Sequence, residues 1–241
     1  GAADGTDPGL PYTMDDYRPN NVSPNTGPIH GTDYCSAPGA CGSVQNEIGT
    51  AYYDISYMCA AENKIIDTYL INSTHPQVNG GAPLWNNATN TIASGIYYAN
   101  CPIEFGNSPW SVEPGGGVTF VTEGQFGPNA QAYNFQAYQF GGTTHPVAMS
   151  WYPGGPGGVS NRSSNCSGGS HAIRLNNNNA VWVGDLVAWN GHVDLDGNDN
   201  NYEVCMIAWG FRVNGGEGTR IACQEVASAE PVTESPSVRT R

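Results

Sequence analysis

Lysine is almost missing from this chain: Lys64 stands alone, one of only eight basic residues set against 21 acidic ones. The resulting formal charge of −13 leaves no basic footprint to neutralise phosphates, so nucleic acid is excluded as a partner. An anionic membrane surface is disfavoured for the same reason. Charged residues of both signs amount to 12% of the chain, about half the usual globular share. Polarity is carried instead by Asn, Ser, Thr, Gln and Gly, which make a neutral, hydrogen-bonding surface. No apolar run approaches the roughly 18 residues that span a bilayer, so no membrane span is expected.

Catalytic signatures are equally scarce. The G-x-S-x-G elbow of serine hydrolases is absent. No C-x-x-C pair occurs, which argues against a zinc site or a thioredoxin-type motif. The five histidines, His30, His75, His145, His171 and His192, include no H-x-H or i, i+4 ligand pair. Residue 1 is Gly, so a copper site built on an N-terminal His is excluded for the sequence as it stands. With no leader visible, the sequence reads as a mature form whose targeting segment has been removed.

What is present points to an oxidising compartment. Seven cysteines are dispersed along the chain. Cys35, Cys41, Cys59, Cys101, Cys166 and Cys223 are expected to form about three disulfides. Cys205, inside the apolar run 204–211, is assigned as the buried leftover thiol. Five N-x-[ST] sequons, at Asn21, Asn72, Asn87, Asn161 and Asn165, predict N-glycans on two or more sites. Together these place the chain as secreted, extracellular or at the cell surface.

Strand signals dominate from residue 34 to 226. Short segments rich in Val, Ile, Tyr and Phe are separated by Gly/Pro/Asn clusters, and 60–71 is an ambiguous helix or strand. The expected fold is mainly β: one antiparallel β-sandwich or jelly-roll-like domain, without internal repeat. Residues 1–33 contain five prolines, and 227–241 two more, so both are read as irregular arms. In the first arm Leu10, Tyr12 and Met14 alternate as a strand added to a neighbour's sheet edge would require.

Several constellations invite a chemical reading. Asp194, Asp196, Asn198 and Asp199 gather hard oxygen ligands suited to calcium. The stretch fails the EF-hand pattern, with Asp199 at the sixth position and Cys205 at the twelfth, and an Asx-rich hairpin turn is the competing reading. Glu104, Glu113, Glu123, Asp185 and Glu203 are the carboxylates on or beside strands that a glycosidase would need in pairs. Asp185, beside Gly184 in an apolar run, is read first as an outward-facing or turn-capping residue; half-buried, it would instead have a raised pKa and could serve as a general acid. Trp85, Trp110 and Trp151 adjoin Pro/Gly turns, where exposed rings would stack on sugars or, equally, cover the ends of the sandwich. Trp182, Trp189 and Trp209 are read as core.

The leading expectation is a glycosylated extracellular structural subunit that self-assembles, in the extreme into filaments, through its N-terminal arm. The alternative is a secreted carbohydrate-binding module or sandwich-fold glycoside hydrolase acting on polysaccharide. A lectin-like or membrane-active β-protein ranks third. No cofactor is implied apart from calcium.

Overall fold

Residues 12–19, 42–48, 51–60, 64–72, 84–106, 108–151, 171–188, 191–208 and 210–223 are described by a computed structural model. The chain is mainly β, with few and short helices. The expected antiparallel sandwich is corrected by the ladders. All are parallel except the hairpin Trp85–Asn86/Thr91–Ile92 and the short ribbon Gln139–Phe140/Thr143–Thr144. Alternation and turn signals register strands but not direction, and the corners read as hairpin turns carry the chain onward into the next sheet.

Three parallel sheets wrap one core as a solenoid. The first holds Tyr52–Asp54, Gly95–Ala99, Val118–Thr122, Ala148–Ser150, Leu186–Ala188 and Met206–Ile207, side by side in that order. The second runs from Ile65–Ile66 and Ile103–Glu104 through a bridge at Phe126 to His171–Asn178, His192–Gly197 and Gly210–Gly215. The third contains Thr91–Ile92, Ser111–Val112, Asn134–Gln136, Val181–Val183, Asn201–Glu203 and Arg220–Ile221. One rung is therefore first sheet, second sheet, third sheet, and the next rung follows above it. Leu186 sits beside Met206, twenty residues on, whereas Tyr52 sits beside Ile96, forty-four on. Rung length varies because excess chain leaves at the corners, which hides the repeat from a search at fixed period.

Inward side chains build the core. Tyr97, Phe105, Phe120, Phe126, Tyr133, Phe135 and Trp182 pack as edge-to-face and stacked rings. Burying each such ring contributes roughly 1.5–3 kcal/mol. Corners are made by residues the sequence reads as loop. At Gly197, φ is 105° and a Cβ would lie 1.6 Å from the Asn177 carbonyl oxygen, so only glycine fits. Asn200 accepts from Ala180 N at 2.9 Å and donates to Asn177 O at 2.7 Å, so asparagines tie neighbouring rungs inside the molecule. The asparagine richness is thus partly interior, where these amides satisfy the corner backbone.

The central strands of the first sheet are buried on both faces, which is why they are mostly apolar, with Thr119, Thr122 and Ser150 as buried polar exceptions. Its outer face, Tyr52, Ile96, Tyr98, Val121, Met149 and Val187, is buried in one cluster with Tyr138 and with Met14, Tyr17, Val44 and Ile48 of helices α1 (Met14–Tyr17) and α2 (Ser43–Ile48). This corrects the assembly reading of Tyr12 and Met14. Met14 opens a helix, is 1% exposed and packs on its own chain's sheet, with Tyr12 beside it. Leu10 lies outside the described residues. The ambiguous 60–71 segment is both things in turn: strand Ile65–Ile66, then helix α3 (Asp67–Asn72).

Candidate functional site

The sequence-predicted site residues that are described can each be placed. Asp194 and Asp196 belong to the strand His192–Gly197, while Asn198 and Asp199 lie past its end. Asp194 is fully buried and taken by Arg212, with Nε to Oδ1 at 2.8 Å and Nη2 to Oδ2 at 2.6 Å. Asp196 accepts from Gly197 N at 2.8 Å. The four do not converge, and among the described residues no group of three or more His, Cys, Asp and Glu could hold a metal. The calcium reading is corrected: regular strand geometry spreads the ligands instead of folding them around a point.

Two disulfides link Cys59 to Cys101 and Cys205 to Cys223. Cys205 is therefore bonded, not a leftover thiol, because its rung passes beside the segment that returns after Arg220–Ile221. Cys35, Cys41 and Cys166 lie outside the described residues, as do Asn21, Asn161 and Asn165. Asn72 ends α3. Asn87 is exposed in the turn of the Trp85–Ile92 hairpin, accessible as a glycan acceptor must be.

The sugar-stacking role of Trp85 and Trp110 is corrected. Both are 0% exposed and meet edge to face at 4.6 Å, sealing the third sheet's first rungs. Trp151 is half-buried against the outer cluster of the first sheet, and Trp182 is core, as expected. Trp189 and Trp209 lie outside the described residues.

The candidate carboxylates have separate partners. Glu123 is buried against Arg18 Nε at 2.7 Å and Tyr98 Oη at 2.6 Å. Glu113 accepts from Ser94 N, and Glu203 from Asn201 Nδ2. Asp185 sits half-buried at a corner beside Gly184, with burial pushing its pKa up. Glu104 and Asp194 share the outer column of the second sheet, which runs Glu104, Gly127, Arg174, Asp194, Arg212. Three rung spacings separate the two carboxylates, about 14 Å at the usual strand separation. Glycoside hydrolysis needs roughly 5–9.5 Å.

Two surfaces stand out that residue patterns did not indicate. The first is the last rung. Phe211 and Val213 are the ladder partners of Val193 and Leu195, and Ile221 of Tyr202. Those partners are sealed at 0–1% exposure, yet Phe211 is 64% exposed, Val213 44% and Ile221 38%. Side chains aimed into the core are here uncovered because no further rung lies on them among the described residues. The second is a cavity of about 200 Å³ on the outer face of the second sheet, lined by Glu104, Gln125, Gly127, Asn129, Arg174 and Asn176.

No family model matches the chain, and no solved structure matches it. A stretch of 64 residues, 27% of the chain, is 34% identical to part of a dipeptidyl-peptidase 5 from Aspergillus fumigatus. That stretch amounts to 9% of the peptidase's length, so the chain spans only a small part of the protein it resembles.

Proposed function

We propose that this chain is an extracellular structural subunit that self-associates, and that the contact is the open last rung rather than the N-terminal arm. The observation that carries the proposal is the exposure of Phe211, Val213 and Ile221 at inward-facing positions. Beside them, the outer backbone edges of Met206–Ile207, Gly210–Gly215 and Arg220–Ile221 carry no further strand among the described residues. Unpaired edges next to apolar surface are templates for pairing with another chain.

The occupant is a second copy. Among the described residues the first rung shows no matching row of uncovered inward side chains: Tyr53, Ile65, Leu84 and Trp85 there are at most 6% exposed. Head-to-tail stacking therefore lacks a complement, whereas open end against open end presents two identical edges to a two-fold axis. A two-fold contact closes, so filaments would require a second interface. The two disulfides and the exposed Asn87 sequon support the extracellular, glycosylated setting.

Sedimentation velocity from low to high micromolar concentration tests this. A reversible dimer is expected, lost in Phe211→Asp with the fold retained by circular dichroism. A full chain that stays monomeric at high micromolar concentration, or association that ignores Phe211→Asp, overturns the proposal.

A further inference from the structure

The cavity on the second sheet exists because of one residue. In the outer column Gly127 stands between Glu104 and Arg174, held there by Gly127 N donating to Ile103 O at 2.9 Å and Arg174 N to Phe126 O at 2.8 Å. A Cβ at Gly127 would meet Glu104 Cγ at 3.8 Å and nothing closer, so the gap is open space between two longer neighbours. At about 200 Å³ the cavity is smaller than the roughly 300–1,000 Å³ of drug-sized sites, and it suits one small polar unit.

Its walls are chemically ordered. On one side Glu104 is matched by Lys64 Nζ at 2.7 Å. On the other, Arg174 leans toward Asp194 at 3.6 Å, beyond hydrogen-bonding distance, while Arg212 already holds Asp194 through two short bonds. Three cations (Lys64, Arg174, Arg212) face three carboxylates (Glu104, Asp194 and Asp196, the ladder partner of Asn176), so the local sum is zero in a chain whose total is −13, and the positive charge at the groove itself is the half-exposed Arg174. Between the flanks lie amides. Asn176 Nδ2 donates to Asn129 Oδ1 at 3.0 Å, which fixes both side chains and leaves donors and acceptors facing outward, with Gln125 beside them.

We propose that this groove binds a carboxylate-bearing sugar unit of an acidic polysaccharide. Arg174 takes the carboxylate through its planar fork, the geometry that suits guanidinium to carboxylate. Asn129, Asn176 and Gln125 exchange hydrogen bonds with ring hydroxyls, and Glu104 accepts from a hydroxyl at the far side. Side-chain amides serve hydroxyls well because each carries both donors and acceptors. The site lies on the side of the solenoid, and the last rung reaches it only through Arg212, which holds Asp194.

The test is isothermal titration of the full chain with an oligogalacturonate, with the same oligosaccharide methyl-esterified, and with free galacturonate. Binding of the acid oligosaccharide is expected to be tighter than that of the ester by about tenfold to hundredfold, the worth of a charge-assisted bond. Arg174→Gln should remove that difference, by lowering the affinity for the acid far more than that for the ester. Gly127→Leu fills the groove and should abolish both. Phe211→Asp should bind like the parent chain. Equal affinity for acid and ester, absence of binding to either, or an Arg174→Gln variant that still discriminates overturns the proposal. Free galacturonate binding as tightly as the oligomer would overturn the polysaccharide assignment. If Gly127→Leu does not fold, the Arg174→Gln comparison decides alone.

Discussion

Replacing Arg18 by Met asks whether the N-terminal segment belongs to its own molecule. Arg18 is 8% exposed, Glu123 is 0% exposed, and Arg18 Nε donates to Glu123 Oε1 at 2.7 Å. Methionine keeps most of the aliphatic stem and removes the guanidinium, leaving a buried carboxylate that still accepts from Tyr98 Oη at 2.6 Å. Breaking one side of a buried ion pair costs about 3–5 kcal/mol, because the other charge stays desolvated. With a urea m-value near 3 kcal/mol/M for a chain of this size, the midpoint should fall by about 1–2 M. Glu123→Gln on the same background removes the stranded charge and should restore much of that loss. The assay is urea unfolding followed by tryptophan fluorescence at two protein concentrations. The loss should be the same at both, since donor and acceptor are in one chain. A midpoint that barely moves, or a loss that appears only at the higher concentration, would refute the intramolecular seating of the arm.

Other outcomes follow from the same geometry. Cys59–Cys101 closes a separation of 42 residues and Cys205–Cys223 one of 18, so removing either should cost about 3–4 kcal/mol, the longer loop slightly more; thermal melts of the two paired Cys→Ser variants compare them. Burial holds the His145 imidazole down at about 4, against an ordinary value near 6.5. Below pH 6.5 the unfolded chain takes up a proton that the native chain refuses, so stability should decline as pH falls from 6.5 toward 4, by about 3 kcal/mol in all. His145→Gln should flatten that part of the profile; an unchanged slope would show that other groups cause it.

Strand content and much of the core were legible in the sequence, because inward alternation is the same in a sandwich and a solenoid. Direction was not, since a corner at Gly184 or Gly197 and a hairpin turn use the same residue types. One signal was available. Ala188-Trp189 and Ala208-Trp209 are twenty residues apart, and each follows two apolar residues, as Ser150-Trp151 also follows a pair. Those positions prove to be rung equivalents, through the pairings Ser150–Ala188 and Leu186–Met206. The groove could not be foreseen: Glu104, Gly127 and Arg174 are far apart in sequence and meet only through register. The open rung was hidden for the opposite reason, because Phe211 and Val213 look like core residues and only their place at the end exposes them.

A solenoid ordinarily behaves as a row of dominoes, each rung answering only to its neighbours, so it can fray from either end. The strip formed by α1 and α2 changes that arithmetic. Its cluster includes Tyr52, Ile96 and Tyr98, Val121, Met149 and Val187, one or two residues from each of five successive rungs. The strip acts as a splint laid along the stack. With it in place the first five rungs should melt together, and any fraying should be confined to the last rung, whose Ile207 alone touches the splinted face.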